Sequence, residues 1–242
     1  MKRLYVVGIG PGAVDKMTYE AHAALDECMV IAGYKTYIKL IEEHFPDKEY
    51  IVNGMREEVK RCELALEAAN SGKTTAMICS GDSGVYGMAG IILELSVKYP
   101  EVDVVVVPGI TAALSGGAVL GAPLGHDFSV ISLSDLLTPW EKIEKRLDLV
   151  SAADMAICIY NPASHTRRDY LKRACEIVMR NMPADTVCGY VRNIGREGEA
   201  FVITTLGELK DMELDMFTTV FIGNSQTRNI NNRMVTPRGY RK

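Results

Sequence analysis

The residues best placed to do chemistry stand in short glycine-marked stretches, of which Ser80-Gly81-Asp82-Ser83-Gly84-Val85-Tyr86-Gly87 is the most informative. Gly81 and Gly84 allow backbone to approach a ligand closely, and Asp82 offers only hydrogen-bond acceptors. A phosphate would want a lysine or extra donors here, and the stretch supplies a carboxylate instead. Asp82 or Ser83 could also serve only to cap a following helix. A second stretch, Gly8-Ile9-Gly10-Pro11-Gly12-Ala13, satisfies the dinucleotide spacing GxGxx(G/A) and keeps a nicotinamide-dependent oxidoreductase open. Against that reading, Pro11 lacks the N–H a pyrophosphate would use, and Gly33 stands where the second strand should end in an acid. In a third, Pro108-Gly109-Ile110-Thr111-Ala112-Ala113, Thr111 offers a hydroxyl beside the free N–H groups of a helix start. The fourth is Tyr160-Asn161-Pro162-Ala163-Ser164-His165, where the proline is expected to hold Asn161 extended and aim its amide outward. Ser164 or Thr166 reads as a cap for the next helix, and His165 as a helix-end surface residue.

These stretches need elements to position them, and the apolar periodicity supplies an alternation of strand and helix. Strands are expected over 4–7, 29–32, 49–52, 74–79 and 102–107, with helices over 18–27, 35–44, 56–69, 85–97 and 111–120. Such alternation predicts a parallel sheet covered on both faces. After Gly121-Ala122-Pro123 the pattern restarts, which suggests α/β domains over 1–122 and 123–242. In the second half, strands are expected over 128–133, 155–160, 186–192, 199–205 and 219–222, and helices open at Thr138-Pro139-Trp140-Glu141 and at Arg167. The Thr138–Glu141 spacing is that of a capping box, with Pro139 at the first helical position. The turn 193–198 is too short for a crossover helix, so the strands flanking it must pair antiparallel and the second five-stranded sheet is mixed. Gly116 and Gly117 inside a helix imply that close packing or a ligand needs that face small. The last fifteen residues, with Arg228, Arg233, Arg238, Arg241 and Lys242 and no acid, read as a partly ordered tail. Four marked loops thus leave strand carboxyl ends, where a ligand at the interface between two sheets would touch all of them.

Composition narrows the function classes. With 242 residues, 48% hydrophobic, 24% charged and a net charge of −4, the chain is globular and lacks a broad nucleic-acid surface. No apolar run approaches a membrane span and no signal peptide precedes the first strand, so a cytoplasmic protein is expected. Six cysteines without a CxxC pair read as reduced, buried small hydrophobes, and four scattered histidines suggest no metal site. The groups Asp82, Thr111 and Asn161 suit a ribose, an amino acid or an adenine edge. S-adenosylmethionine matches that set better than a nucleoside triphosphate does.

Three motifs carry a resemblance: VGIGPG at 7–12, GDS at 81–83 and PGITA at 108–112. With them the sequence resembles the tetrapyrrole methylases of the cobalamin and sirohaem pathways, Ser83 replacing the commoner proline and YNP at 160–162 replacing YM or YMG. The resemblance implies a homodimer of two α/β domains with S-adenosylmethionine folded into the cleft between them. The longer stretches at 80–90, 108–135, 160–167, 189–199 and 235–240 resemble one branch of that family, which implies methyl transfer to carbon 17 of a precorrin-3 macrocycle, with or without cobalt, coupled to ring contraction; another tetrapyrrole carbon is the alternative. Cofactor contacts carried over from the family fall on Pro11, Gly81, Asp82, Val85, Thr111, Ala112, Tyr160, Asn161, Asn193, Ile194 and Gly223. For the proton transfers or carbonyl polarisation of ring contraction, the candidates are His126, Ser132, Ser134 and Asp135. Substrate carboxylates would meet Lys35, Arg56, Arg167 and Arg192.

Overall fold

The computed structural model describes residues 2–164 and 167–240, so His165 and Thr166 lie outside the described residues. The chain divides into two units, Met1–Thr111 and Ala112–Lys242.

The first unit runs β1 (Arg3–Gly8), a 3-10 turn (Val14–Lys16), α1 (Tyr19–Glu27), β2 (Val30–Tyr34), α2 (Lys35–Ile38), β3 (Glu49–Asn53), α3 (Glu58–Asn70), β4 (Thr75–Cys79), α4 (Ala89–Ser96) and β5 (Asp103–Val107). Its sheet has the order β3-β2-β4-β1-β5, with every pairing parallel. Side-chain alternation sorts the two covering layers. Tyr5, Val7, Ala76 and Ile78 face Ala21, Leu25 and Ile38. Their neighbours Leu4, Val6, Met77 and Cys79 face Cys62, Leu66, Ala89 and Ile92 on α3 and α4.

The second unit holds α5 (Ala112–Leu120), β6 (Gly121–Ala122), β7 (Phe128–Ser132), α6 (Trp140–Ala152), β8 (Ala156–Tyr160), α7 (Tyr170–Val178), β9 (Val187–Arg192), β10 (Ala200–Thr205), α8 (Leu206–Leu209), β11 (Thr218–Ile222), β12 (Arg228–Asn229) and β13 (Met234–Val235). The order β10-β9-β11-β8-β7 is a mixed five-stranded sheet. Here β7 and β8 run parallel, while β9 and β10 pair antiparallel from Ala200 opposite Arg192.

Folding revises several of these expectations. Helix α5 packs with Cys158, Val191 and Phe221 of the second sheet, so the division falls at Thr111/Ala112 rather than after Ala122. A Cβ at Gly116 would stand 2.9 Å from Ile194 and 3.0 Å from Phe221, which makes close packing the reason for a glycine there. At α6, Pro139 has ψ 144 and is the N-cap, so the helix begins one residue late and no side-chain cap forms. Part of the basic tail is placed: β12 and β13 join β6 in a three-stranded sheet, Met234 is buried, and the Thr236 hydroxyl donates to the Pro123 carbonyl at 2.6 Å.

A capping box does form at α8, where Glu208 N–H donates to Thr205 Oγ1 and Glu208 Oε2 accepts from Thr205 N–H. Thr205→Ala is expected to cost about 1 kcal/mol in a urea titration. An unchanged midpoint would show that the box contributes nothing.

Candidate functional site

In the first unit, the loops leaving β4, β1 and β5 meet because those strands are neighbours at the sheet's carboxyl edge. Gly10 and Gly81 exchange backbone hydrogen bonds, Gly10 N–H donating at 3.0 Å and Gly81 N–H at 2.7 Å. Gly109 closes the junction so tightly that a Cβ there would lie 2.2 Å from the Gly81 carbonyl and 2.5 Å from that of Gly8. Asp82 ties the loops together. Its Oδ1 accepts from Gly84 N–H at 2.8 Å and Val85 N–H at 3.0 Å, and its Oδ2 accepts from Gly109 N–H at 3.0 Å.

Neither Asp82 nor Ser83 caps α4. The Ser83 hydroxyl is buried and donates to the Val107 carbonyl at 3.0 Å. Helix α4 begins only at Ala89, after Tyr86 in the left-handed region (φ 54) and Gly87, whose Cβ would strike the Ser83 carbonyl at 2.2 Å. Pro11 follows Gly10 in a buried stretch, Thr111 is half-buried, and the Val85 side chain is exposed.

The donor set can be tested against ligand classes directly. Across 8–12, 80–87 and 108–111 the single charged side chain is Asp82. A pyrophosphate would find no cation there. The GIGPGA loop also fails to open a helix, since α1 starts at Tyr19, and this removes the helix N-terminus that a dinucleotide fold uses. A ligand with a cationic centre and hydroxyl donors suits the set, as S-adenosylmethionine would.

In the second unit, the edge formed by the ends of β7, β8 and β9 gathers most of the remaining candidates. Register places Arg192 opposite Thr218 and Ile159 opposite Val220, so Asn193 and Asn161 emerge on the same side. Asn161 is not extended: it takes φ 53, a left-handed conformation that asparagine tolerates and that a following proline does not forbid. Its Nδ2 donates to Ser132 Oγ at 2.9 Å. Ser134 N–H donates to the same oxygen at 3.2 Å. The Tyr160 hydroxyl accepts from Ala113 N–H at 2.7 Å and so caps the start of α5, next to Ala112. Ile194 is buried against Gly116, which leaves only its backbone to the edge.

Ser134 and Asp135 meet Arg167. The guanidinium Nη1 donates to Ser134 Oγ at 2.7 Å and lies 3.4 Å from Asp135 Oδ1, while Nε donates to Ser164 Oγ at 3.0 Å. Tyr170 donates to Asp135 Oδ2 at 2.7 Å, and this bond, ahead of the guanidinium, holds the Asp135 carboxyl below the usual range. Sequence reasoning missed Tyr170 altogether and took Ser164 only as a cap. Tyr170 stands thirty-five residues from Asp135, a separation that carries no local signal.

Two candidates lie elsewhere. His126 precedes β7 and Gly223 follows β11, and because β11 runs against β8 both reach the opposite edge of the sheet. β7 spans Phe128–Ser132, about 13 Å of strand, and His126 lies in the bend that precedes it, beyond the end away from Ser132. There His126 accepts from Asp127 N–H at 2.9 Å and lines a cavity with Asp154 and Asn224, and Gly223 N–H donates to the Val187 carbonyl. Of the proposed carboxylate partners, Arg192 is paired with Asp215 at 2.8 Å. Lys35 and Arg56 are exposed after β2 and β3 and make no ion pair among the described residues. All six cysteines are buried and free, burial pushing the Cys28 and Cys175 thiols up to about 12. Among the described residues no group of three or more His, Cys, Asp or Glu could hold a metal, and no helix is long and apolar enough to cross a membrane.

Residues 3–210 match the family described as Tetrapyrrole (Corrin/Porphyrin) Methylases. The chain belongs to this family. Among relatives of this methylase, a "Probable cobalt-factor III C(17)-methyltransferase" of Salmonella typhimurium is 46% identical, over 98% of this chain and 99% of that protein. A "Precorrin-3B C(17)-methyltransferase" of Sinorhizobium sp is 40% identical over 93% and 90% of the two chains. The crystal structure of the methyltransferase CobJ superposes with a TM-score of 0.89 at 35% identity, covering 97% of this methylase and 99% of that chain.

Proposed function

We propose that this methylase transfers a methyl group from S-adenosylmethionine to carbon 17 of a precorrin-3-type macrocycle, with contraction of the ring. The observation that carries this reading is the end-to-end likeness to the "Probable cobalt-factor III C(17)-methyltransferase" of Salmonella typhimurium, and a loop junction free of cations supports it. When bound, the cofactor would supply an electrophilic sulfonium methyl group to an electron-rich ring carbon.

The chain's own task is placement. Pro11, Gly81, Asp82, Val85 and Thr111 of the first unit, and Ala112, Tyr160, Asn161, Asn193 and Ile194 of the second, are the proposed cofactor contacts; Gly223 stands apart from them. Asp82 holds three backbone N–H groups, so it acts on the cofactor through the loops it fixes. Lys35, Arg56, Arg167 and Arg192 remain the proposed partners of the macrocycle's carboxylates, and cobalt, where present, arrives with the substrate. Ser132, Ser134 and Asp135 are the proposed polar groups beside the reacting ring; His126, at the far edge, is not among them. The reading also places the protein in the cytoplasm as a homodimer, which light scattering would test.

Incubation with S-adenosylmethionine and precorrin-3 forms, with and without cobalt, followed by mass spectrometry, tests the activity. A gain of one methyl at carbon 17 is expected. A chain that binds S-adenosylhomocysteine yet methylates no tetrapyrrole would be a ligand sensor, and preferential binding of NADH would restore the oxidoreductase.

A further inference from the structure

The loop following β7 presents a hydroxyl whose proton no described residue accepts. Ser134 Oγ accepts from the guanidinium of Arg167 at 2.7 Å, so one lone pair is committed to a cation and the hydroxyl proton must be given elsewhere. Among the described residues no acceptor takes it, since Ser134's other hydrogen bond is made by its backbone N–H. A hydroxyl polarised by a charged donor is itself a stronger donor.

Arg167 is fixed from three sides. Ser164 Oγ takes Nε, and Asp135 faces Nη1. Tyr170 then pins Asp135 through its hydroxyl and is itself held by Trp140, with ring centroids 4.5 Å apart and the Arg173 guanidinium 4.1 Å over the indole. A second observation points to a ligand. Leu136 and Leu137, next along the same loop, are 66% and 96% exposed, so an apolar surface flanks the prepared donor. A flat apolar ring with oxygen-bearing edges has both features of a matching partner.

We infer that Ser134 donates a hydrogen bond to a carbonyl or carboxylate oxygen of the macrocycle, and that Tyr170 and Asp135 are positioning residues that hold Arg167 against it. This rests on the function proposed above and adds the recognition contact. Because the Tyr170 bond depresses the Asp135 pKa, the network is intact above the ordinary carboxylate range and is lost as pH falls through the lowered value. Removing that bond should raise the pH at which it is lost.

The test is titration of the full chain with the precorrin substrate, followed by its absorbance, beside calorimetry with S-adenosylhomocysteine. Ser134→Ala is expected to weaken macrocycle binding about tenfold and to leave cofactor affinity unchanged, with Ser134→Thr restoring most of the loss. Tyr170→Phe should weaken it about threefold at neutral pH and move the acid limb of the binding profile upward, a shift that lost packing alone would not produce. Equal macrocycle affinity in wild type and Ser134→Ala overturns the inference alone. A wild-type chain that binds no tetrapyrrole overturns the inference together with the proposed function.

Discussion

Gly109→Ala is expected to lose about 3 kcal/mol of stability and about two orders of magnitude in affinity for S-adenosylhomocysteine. The reason is steric. The new methyl would meet the carbonyls of Gly81 and Gly8 at 2.2 and 2.5 Å, and both are backbone atoms held by parallel pairing and the Gly10–Gly81 bridge. Relief requires the loops after β1, β4 and β5 to separate, which undoes the junction proposed to hold the cofactor. Gly90→Ala is the matched control. A Cβ at Gly90 in α4 meets nothing within 4 Å, so the helix should gain about 1 kcal/mol. Urea unfolding and calorimetry on the two variants would show opposite signs in stability. Wild-type cofactor affinity in Gly109→Ala would refute a role for the junction in binding.

Asp82→Asn is expected to weaken S-adenosylhomocysteine binding about 30-fold, or roughly 2 kcal/mol. Asparagine keeps one acceptor, enough for Gly84 and Val85, but turns an N–H toward Gly109 N–H, where the carboxylate now accepts at 3.0 Å. The tie between the loops after β4 and β5 is therefore the bond that fails, and Asp82→Ala should do worse by losing all three. Calorimetry decides the matter. An Asp82→Asn variant that binds as tightly as wild type would mean that the glycine contacts alone set the geometry.

Local residue patterns were enough for the order of the elements and the places where they turn, though not for helix ends: α2, read over 35–44, stops at Ile38, and α4, read from 85, starts at Ala89. Short continuous apolar runs rich in β-branched residues mark β1, β4 and β5, and the short turn after Arg192 leaves antiparallel pairing as the only route for β10. Glycines at 8, 10, 81 and 109 were visible as loop marks for the same local reason. Tertiary structure alone decided what those marks meet. The insertion of β4 between β2 and β1 brings Gly81 onto Gly10 and Asp82 onto Gly109, and the reversal of β11 against β8 sends Gly223 to the edge away from Asn161. Tyr170 reaches Asp135 across thirty-five residues, and Thr236 reaches Pro123 across 113. Contacts at such separations follow from strand order and direction, which no local pattern of residues encodes. Turns, caps and alternation depend on neighbours a few residues away, and there the chain could be read directly.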